Sequence, residues 1–199
     1  MDDASPNTEK SRRAHPLAIA LIERLRDIPN ARVLEIGTGN ARNTTALRDA
    51  GIIVDAIADG AAVEIQMASY DAALSTHGLL HGDLAAVTAT LDAIAASLKP
   101  QAPLYATFGS VADARYGKGQ KIAANVYAPV EGDEVGVPHL FIDEGRLREL
   151  LSRNFEIEEL SESNADAIVG RWAHREPLRG VVHWFVRASR RPQLGRAWD

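Results

Sequence analysis

The sequence predicts an α/β protein, a three-layer sandwich whose mostly parallel sheet ends in an antiparallel strand near the C-terminus. Three observations carry this. Short apolar runs of strand length alternate with stretches whose apolar residues recur at helical spacing. The first run ends on a Gly-rich turn that opens directly into a helix. The last two extended segments read as an antiparallel pair closing the sheet. The chain has 199 residues, 46% hydrophobic and 25% charged, which is enough for one sizeable core and rules out a disordered chain.

The elements follow in order. Residues 1–13 are polar, charged and carry Pro6, and are expected to be a flexible tail before a domain spanning 14–189. Leu17, Ala20, Leu21 and Leu25 share one face of a first helix. Residues 31–36 form a strand ending on Gly37-Thr38-Gly39, residues 42–50 a helix, and Gly51 its stop. Residues 52–57 and 70–76 are the next strands. Leu84, Val87, Leu91, Ile94 and Leu98 place a helix over 83–98, terminated by Lys99-Pro100, and residues 103–108 form the fourth strand. A loop-rich stretch runs from 109 to about 139. Asp143-Glu144 then start a helix through Leu147, Leu150 and Leu151, followed by strands at 155–160 and 180–187. Residues 190–199 are expected to be a second flexible tail.

Composition excludes several function classes. Lys+Arg number 22 against 27 Asp+Glu, a net charge of −5, which favours neither nucleic acid nor an anionic membrane as partner. There is no Cys, hence no disulfide, no thiolate metal site and no Cys nucleophile. The N-terminus has no basic segment followed by an apolar one, and no apolar run approaches the ~20 residues that span a bilayer, so a cytoplasmic protein is expected.

In an open α/β sheet the ligand sits beyond the carboxyl ends of the strands where their order reverses, and a Gly-rich turn lets the backbone approach it. Glu35-Ile36-Gly37-Thr38-Gly39-Asn40-Ala41 is such a turn. A nicotinamide-binding oxidoreductase would want a third Gly where Arg42 stands and an apolar residue where Glu35 stands. An acid two residues before the first Gly instead resembles motif I of the class I S-adenosylmethionine (SAM)-dependent methyltransferases. The segments Gly39-Asn40-Ala41-Arg42-Asn43, Gly51 to Ala56, Tyr70 to His81, Leu98-Lys99-Pro100 and Phe141 to Leu147 are similar, in order, to motifs of the tellurite-resistance-type small-molecule branch. Ala41 stands where that branch has a third Gly.

The resemblance implies a Rossmann-like three-layer sandwich and a methyl transfer from SAM to a small molecule, by a monomer or homodimer. It implies that Gly37, Thr38 and Gly39, with Asn40 beside them, approach the methionine part of SAM, and that Glu35 organises their loop. Ser75, Thr76 and His77 would line the floor near the methyl group. The acid that takes the ribose hydroxyls falls at Ala58 by alignment, and Asp59, one place later, is its replacement here. Only the thirteen residues 58–70 separate Ile57 from Asp71, room for one short helix around 61–67 but not for the family's third strand, which is the sheet edge. Its loss would remove a loop that contacts adenine, and motivates an alternative reading: a degenerate member that binds SAM weakly or not at all and acts as an interaction or regulatory module.

Methyl transfer requires mainly orientation of two reactants, worth about 7–11 kcal/mol in well-aligned cases. His77 is the candidate general base where the acceptor must lose a proton. His77 and His81 are spaced i, i+4, but no Glu lies between them as in H-E-x-x-H, so no metal ligands are assigned and His81 is expected to pack on a helix. Substrate-side candidates are Tyr116, His139, Arg171 and His174, in long connections over the strand ends. Their structural alternatives are ordinary: a hydrogen-bonded surface histidine, a solvated cation, and for the neighbouring Trp172 a loop anchor.

Overall fold

The computed structural model describes residues 13–58, 60–62, 66–165 and 180–192. The first helix, α1 (Pro16–Leu25), starts at a proline and is capped by His15, whose Nδ1 accepts from the Leu17 N–H at 3.0 Å. It buries Leu17, Ala18, Leu21 and Leu25. After β1 (Arg32–Ile36), α2 (Arg42–Asp49) opens at Ala41 in the left-handed region and stops at Gly51 with φ 80°. Next come β2 (Ile53–Ile57) and β3 (Ala72–Ser75), a single 3-10 turn at Gly78–Leu80, and α3 (Leu84–Ser97), capped by Asp83 accepting from Ala86 N–H at 2.8 Å. Then follow β4 (Pro103–Ser110), β5 (Gln120–Ala123), β6 (Val126–Ala128) and β7 (His139–Ile142). The chain continues through α4 (Glu144–Ser152), capped by Asp143, into β8 (Phe155–Asn164) and β9 (Val182–Arg190). No helix among the described residues is long and apolar enough to cross a membrane.

The main sheet runs β2-β1-β3-β4-β9-β8, with β1 to β4 parallel and β9 antiparallel to both neighbours. Alternation along the strands separates two cores. Leu34, Ile36, Ala73, Leu104 and Phe108 face α3 and α4, whereas Val33, Ala72, Leu74 and Tyr105 face α1 and α2. These are the three layers the sequence predicts.

The stretch expected to be loop-rich is instead an antiparallel extension, β5-β6-β7, joined to the main sheet through β7. Its position follows from pairing. Residues 104–106 of β4 pair with β3 on one side and β9 on the other, and Gly109 pairs with both His183 of β9 and Phe141 of β7. So β7 occupies β3's side of β4, in the space beyond β3's short end. Gly109 permits this, because a Cβ there would stand 2.5 Å from the Leu140 carbonyl oxygen. Trp184 fastens the far side, donating from Nε1 to the Ile142 carbonyl at 2.8 Å.

Three further expectations meet the structure. Among the described residues no strand lies between β2 and β3, and β2 is the edge of the sheet they form. Residues 61, 62, 66 and 67 are not helical, and 63–65 lie outside the described residues. The short connection is spent on a turn that returns through Asp71, whose carboxylate takes the Arg32 N–H and Lys99. Finally, β9 extends past the expected boundary at 189: Arg190 N–H donates to the Ala102 carbonyl and Arg191 N–H to that of Asn154. Residues 1–12 and 193–199 of the expected tails lie outside the described residues.

Candidate active site at the strand ends

The order β2-β1-β3 reverses direction between β1 and β3, so the crevice beyond their carboxyl ends is where an open α/β sheet binds its ligand. Two turns form it. On the β1 side, Gly37 (φ 76°) donates its N–H to the Ile57 carbonyl at 2.9 Å, and Gly39 (φ 48°) has open space where a side chain would stand. Thr38 accepts from the Ala41 N–H at 2.8 Å through its carbonyl, while Gly39 and Asn40 are exposed on the rim. On the β3 side, Gly78 packs directly beneath: a Cβ there would lie 2.9 Å from Ile36 Cγ2 and 3.0 Å from the Gly37 nitrogen.

Glu35 sits under the Gly turn and is 1% exposed. Its Oε2 accepts from Thr44 Oγ1 at 2.5 Å, tying β1 to α2, and its buried Oε1 has no hydrogen bond among the described residues. Burial pushes its carboxyl pKa up, against the pull of the Thr44 hydroxyl, the Asn43 amide and the Arg48 and Arg42 guanidiniums. Asn43 joins three segments, accepting from His15 N–H and donating to Thr76 Oγ1, each at 2.9 Å.

Ser75 and Thr76 are buried, and their side chains bond within the scaffold. Ser75 Oγ accepts from Leu79 N–H at 3.2 Å within the 3-10 turn, while the Thr76 carbonyl accepts from Thr107 Oγ1 at 2.7 Å. His77 Nδ1 is 2.5 Å from that same carbonyl. A carbonyl only accepts, so Nδ1 carries the proton and Nε2 the lone pair. Burial brings the His77 pKa down to about 4, which keeps the ring neutral at physiological pH.

From His77 a row of imidazoles extends in both directions. Its ring centroid is 5.9 Å from that of His183 on β9 and 6.3 Å from that of His81, and His81 is 4.9 Å from His139. His81, expected to pack on a helix, lies outside α3 and forms an isolated backbone bridge to His139. Both approach Glu134: His139 Nε2 to Oε2 at 3.0 Å, and His81 Nε2 to Oε1 at 3.6 Å. At the other end, Arg115 reaches toward His183 Nε2 at 3.3 Å while forming a two-pronged pair with buried Asp113.

Of the substrate-side candidates, His139 belongs to this row. Tyr116 stands in an aromatic cluster with Tyr127 and Phe141 and donates to Asn125 Oδ1 at 2.9 Å. Asp59, Arg171, Trp172 and His174 lie outside the described residues. Sequence reasoning missed Glu134, His183, His15 and Asp113. His183 carried a signal, being the one polar residue in the run Val181 to Val186. Glu134 carried none, as one acid in the run Glu131-Gly132-Asp133-Glu134.

No protein-family model matches the chain, and no curated protein matches it by sequence. Its fold does have relatives among solved structures. The 1,6-didemethyltoxoflavin-N1-methyltransferase of Burkholderia thailandensis, solved with 1,6-didemethyltoxoflavin and S-adenosylhomocysteine bound, superposes with a TM-score of 0.64 at 19% identity, over 89% of this chain and 78% of that one. A SAM-dependent methyltransferase of Methanosarcina mazei gives 0.62 at 16% identity, covering 90% and 99%. One from Mesorhizobium loti gives 0.54 at 18%, covering 87% and 98%. The chain therefore has the Rossmann-like fold that these SAM-dependent methyltransferases share.

Proposed function

We propose that this chain is a SAM-dependent methyltransferase acting on a small molecule. The observation that carries the reading is Glu35: a buried carboxylate with one oxygen lacking a donor, under an open Gly turn at the switch point of the sheet. That combination fits a ligand bearing an ammonium group, as the methionine end of SAM does, and the fold shared with SAM-dependent methyltransferases supports it.

When bound, SAM supplies an electrophilic methyl group. The chain's own task is to bind, orient and exclude water. In this reading Gly37, Thr38, Gly39 and Asn40 hold the methionine end, Glu35 fixes their turn, and Ser75 and Thr76 keep the β3 turn rigid beneath it. Asp59 is assigned to the ribose. His77, neutral with its lone pair on Nε2, takes a proton from the acceptor where one must leave; its low basicity makes it a transient carrier. Tyr116, His139, Arg171 and His174 are assigned to the acceptor side.

Calorimetric titration with S-adenosylhomocysteine tests the reading, alongside Gly39→Arg, whose side chain has room to enter the crevice without a packing clash. Saturable binding that this substitution abolishes, in a variant that still melts cooperatively, is the expected result. Absence of heat in the wild type, with an unchanged melting temperature at millimolar ligand, refutes it. A chain that has the fold without the cofactor, an outcome the short connection between β2 and β3 would explain, would then be the reading.

A further inference from the structure

We propose that His81, Glu134 and His139 form a binding site for a divalent first-row transition-metal ion, with zinc the best match, on the acceptor side of the crevice. The donor set is two imidazoles and one carboxylate, and the three ligand atoms lie within 4.8 Å of one another. With metal–ligand bonds of about 2.0–2.2 Å, donors of a tetrahedral ion stand roughly 3.3 Å apart. His139 Nε2 stands 3.0 Å from one Glu134 oxygen and His81 Nε2 3.6 Å from the other, so the two imidazoles flank a single carboxylate at spacings close to that value. The sequence assigned no metal ligands and offered only the i, i+4 spacing of His77 and His81. The fold sets His77 aside and supplies His139 and Glu134 instead.

The orientation of His139 is the strongest element. Its Nδ1 lies 2.8 Å from the Val137 carbonyl, which only accepts, so the proton is on Nδ1 and the Nε2 lone pair is aimed at the Glu134 carboxylate. Two lone-pair donors 3.0 Å apart need a positive centre between them: a second proton on the ring, or a cation. A carbonyl holding the outer nitrogen is the usual support of a metal-ligating histidine, fixing its tautomer and orientation. The backbone around the cluster is fixed before any ion arrives. His81 and His139 form a bridge, and Gly82 N–H donates to the Pro138 carbonyl at 2.8 Å.

Accessibility grades across the cluster, with side chains 4% exposed at His139, 14% at His81 and 29% at Glu134. Three protein donors with one side toward solvent describe a site that keeps a coordination position open, as catalytic rather than structural zinc sites do. Beside His77, that position would take an oxygen or nitrogen of the acceptor. This role rests on the methyltransferase reading; the metal site does not.

The test uses tag-free full-length protein stripped with a chelator. Titration with Co2+ is expected to produce visible absorption bands saturating at one ion per chain, displaced by Zn2+, with affinity reduced at least tenfold in both His81→Asn and Glu134→Gln. On the wild type, Zn2+ is expected to shift the Nε2 resonances of His81 and His139, leaving those of His15 unmoved. Absence of the bands, or Zn2+ shifts at other histidines only, overturns the proposal and leaves a buried His-Glu-His ion pair. S-adenosylhomocysteine binding measured on the stripped protein separates the two readings: its retention without metal binding defeats only the metal site, and metal binding without it defeats only the methyltransferase reading.

Discussion

Gly78→Ala tests whether the two turns of the crevice are packed as described. Gly78 has no positive φ, so alanine meets no backbone strain there, and the whole effect comes from one added carbon. That carbon would lie 2.9 Å from Ile36 Cγ2 and 3.0 Å from both the Ile36 carbonyl carbon and the Gly37 nitrogen. Carbon contacts settle at about 3.5–4.0 Å, so the turns must separate by roughly half an ångström, and two of the three obstructing atoms are backbone. Overpacking of this kind costs about 1–3 kcal/mol. At roughly 2–4 °C per kcal/mol for a chain of this size, the melting temperature should fall by roughly 2–12 °C, with weaker S-adenosylhomocysteine binding as the Gly turn shifts. Differential scanning calorimetry with and without ligand measures both. Gly39→Ala is the control, since its added carbon meets nothing within 4 Å and only the left-handed backbone penalty, about 1 kcal/mol, applies. A Gly78→Ala protein melting within about 1 °C of wild type would refute the packing argument.

Burial lowers the His15 pKa to about 3, helped by Arg42 and His77, whereas an unfolded histidine titrates near 6.5. The unfolded chain therefore binds the extra proton first, and stability drops as pH falls below about 6.5, by up to ~1.4 kcal/mol per pH unit from this residue. His15→Asn, which keeps a helix-capping side chain, should flatten that slope in urea titrations between pH 4 and 6.5; an unchanged slope would mean that other groups set it. Glu35→Gln keeps an acceptor for Thr44 but removes the charge, so S-adenosylhomocysteine affinity should fall about 10–100-fold with a small change in melting temperature. Equal affinity in a calorimetric titration would reduce Glu35 to a structural strut. Asp113→Ala strands the Arg115 guanidinium and the Val182 N–H, which donates to Asp113 at 2.9 Å, and should cost about 3–5 kcal/mol in chemical denaturation. A loss under 1 kcal/mol would contradict the burial of that pair.

Local rules made most of the frame legible. Asp83 and Asp143 cap the helices they announce, Lys99-Pro100 ends α3, and the crowding of 58–70 leaves β2 as the edge. The antiparallel extension escaped because β5 is exposed at every position and so lacks the alternation that marks a half-buried strand, while β6 has only three residues. The histidine row escaped for another reason. His81 and His139 meet only because β7 fills the space beyond β3, a long-range fact that spacing along the chain does not encode. Glu35, by contrast, stood out through its resemblance to the motif I acid two residues before the first Gly, and the structure adds its burial beneath that turn.

The seat of β7 beside β4 changes how the crevice can exchange its contents. A loop folded over strand ends swings open by rotating a few backbone bonds. Here the covering segment is stitched into the sheet, with its middle strand paired to β7 and β7 paired to β4. Lifting it would unzip those hydrogen bonds together. Any opening on this side therefore breaks several sheet hydrogen bonds at once instead of turning a few backbone bonds.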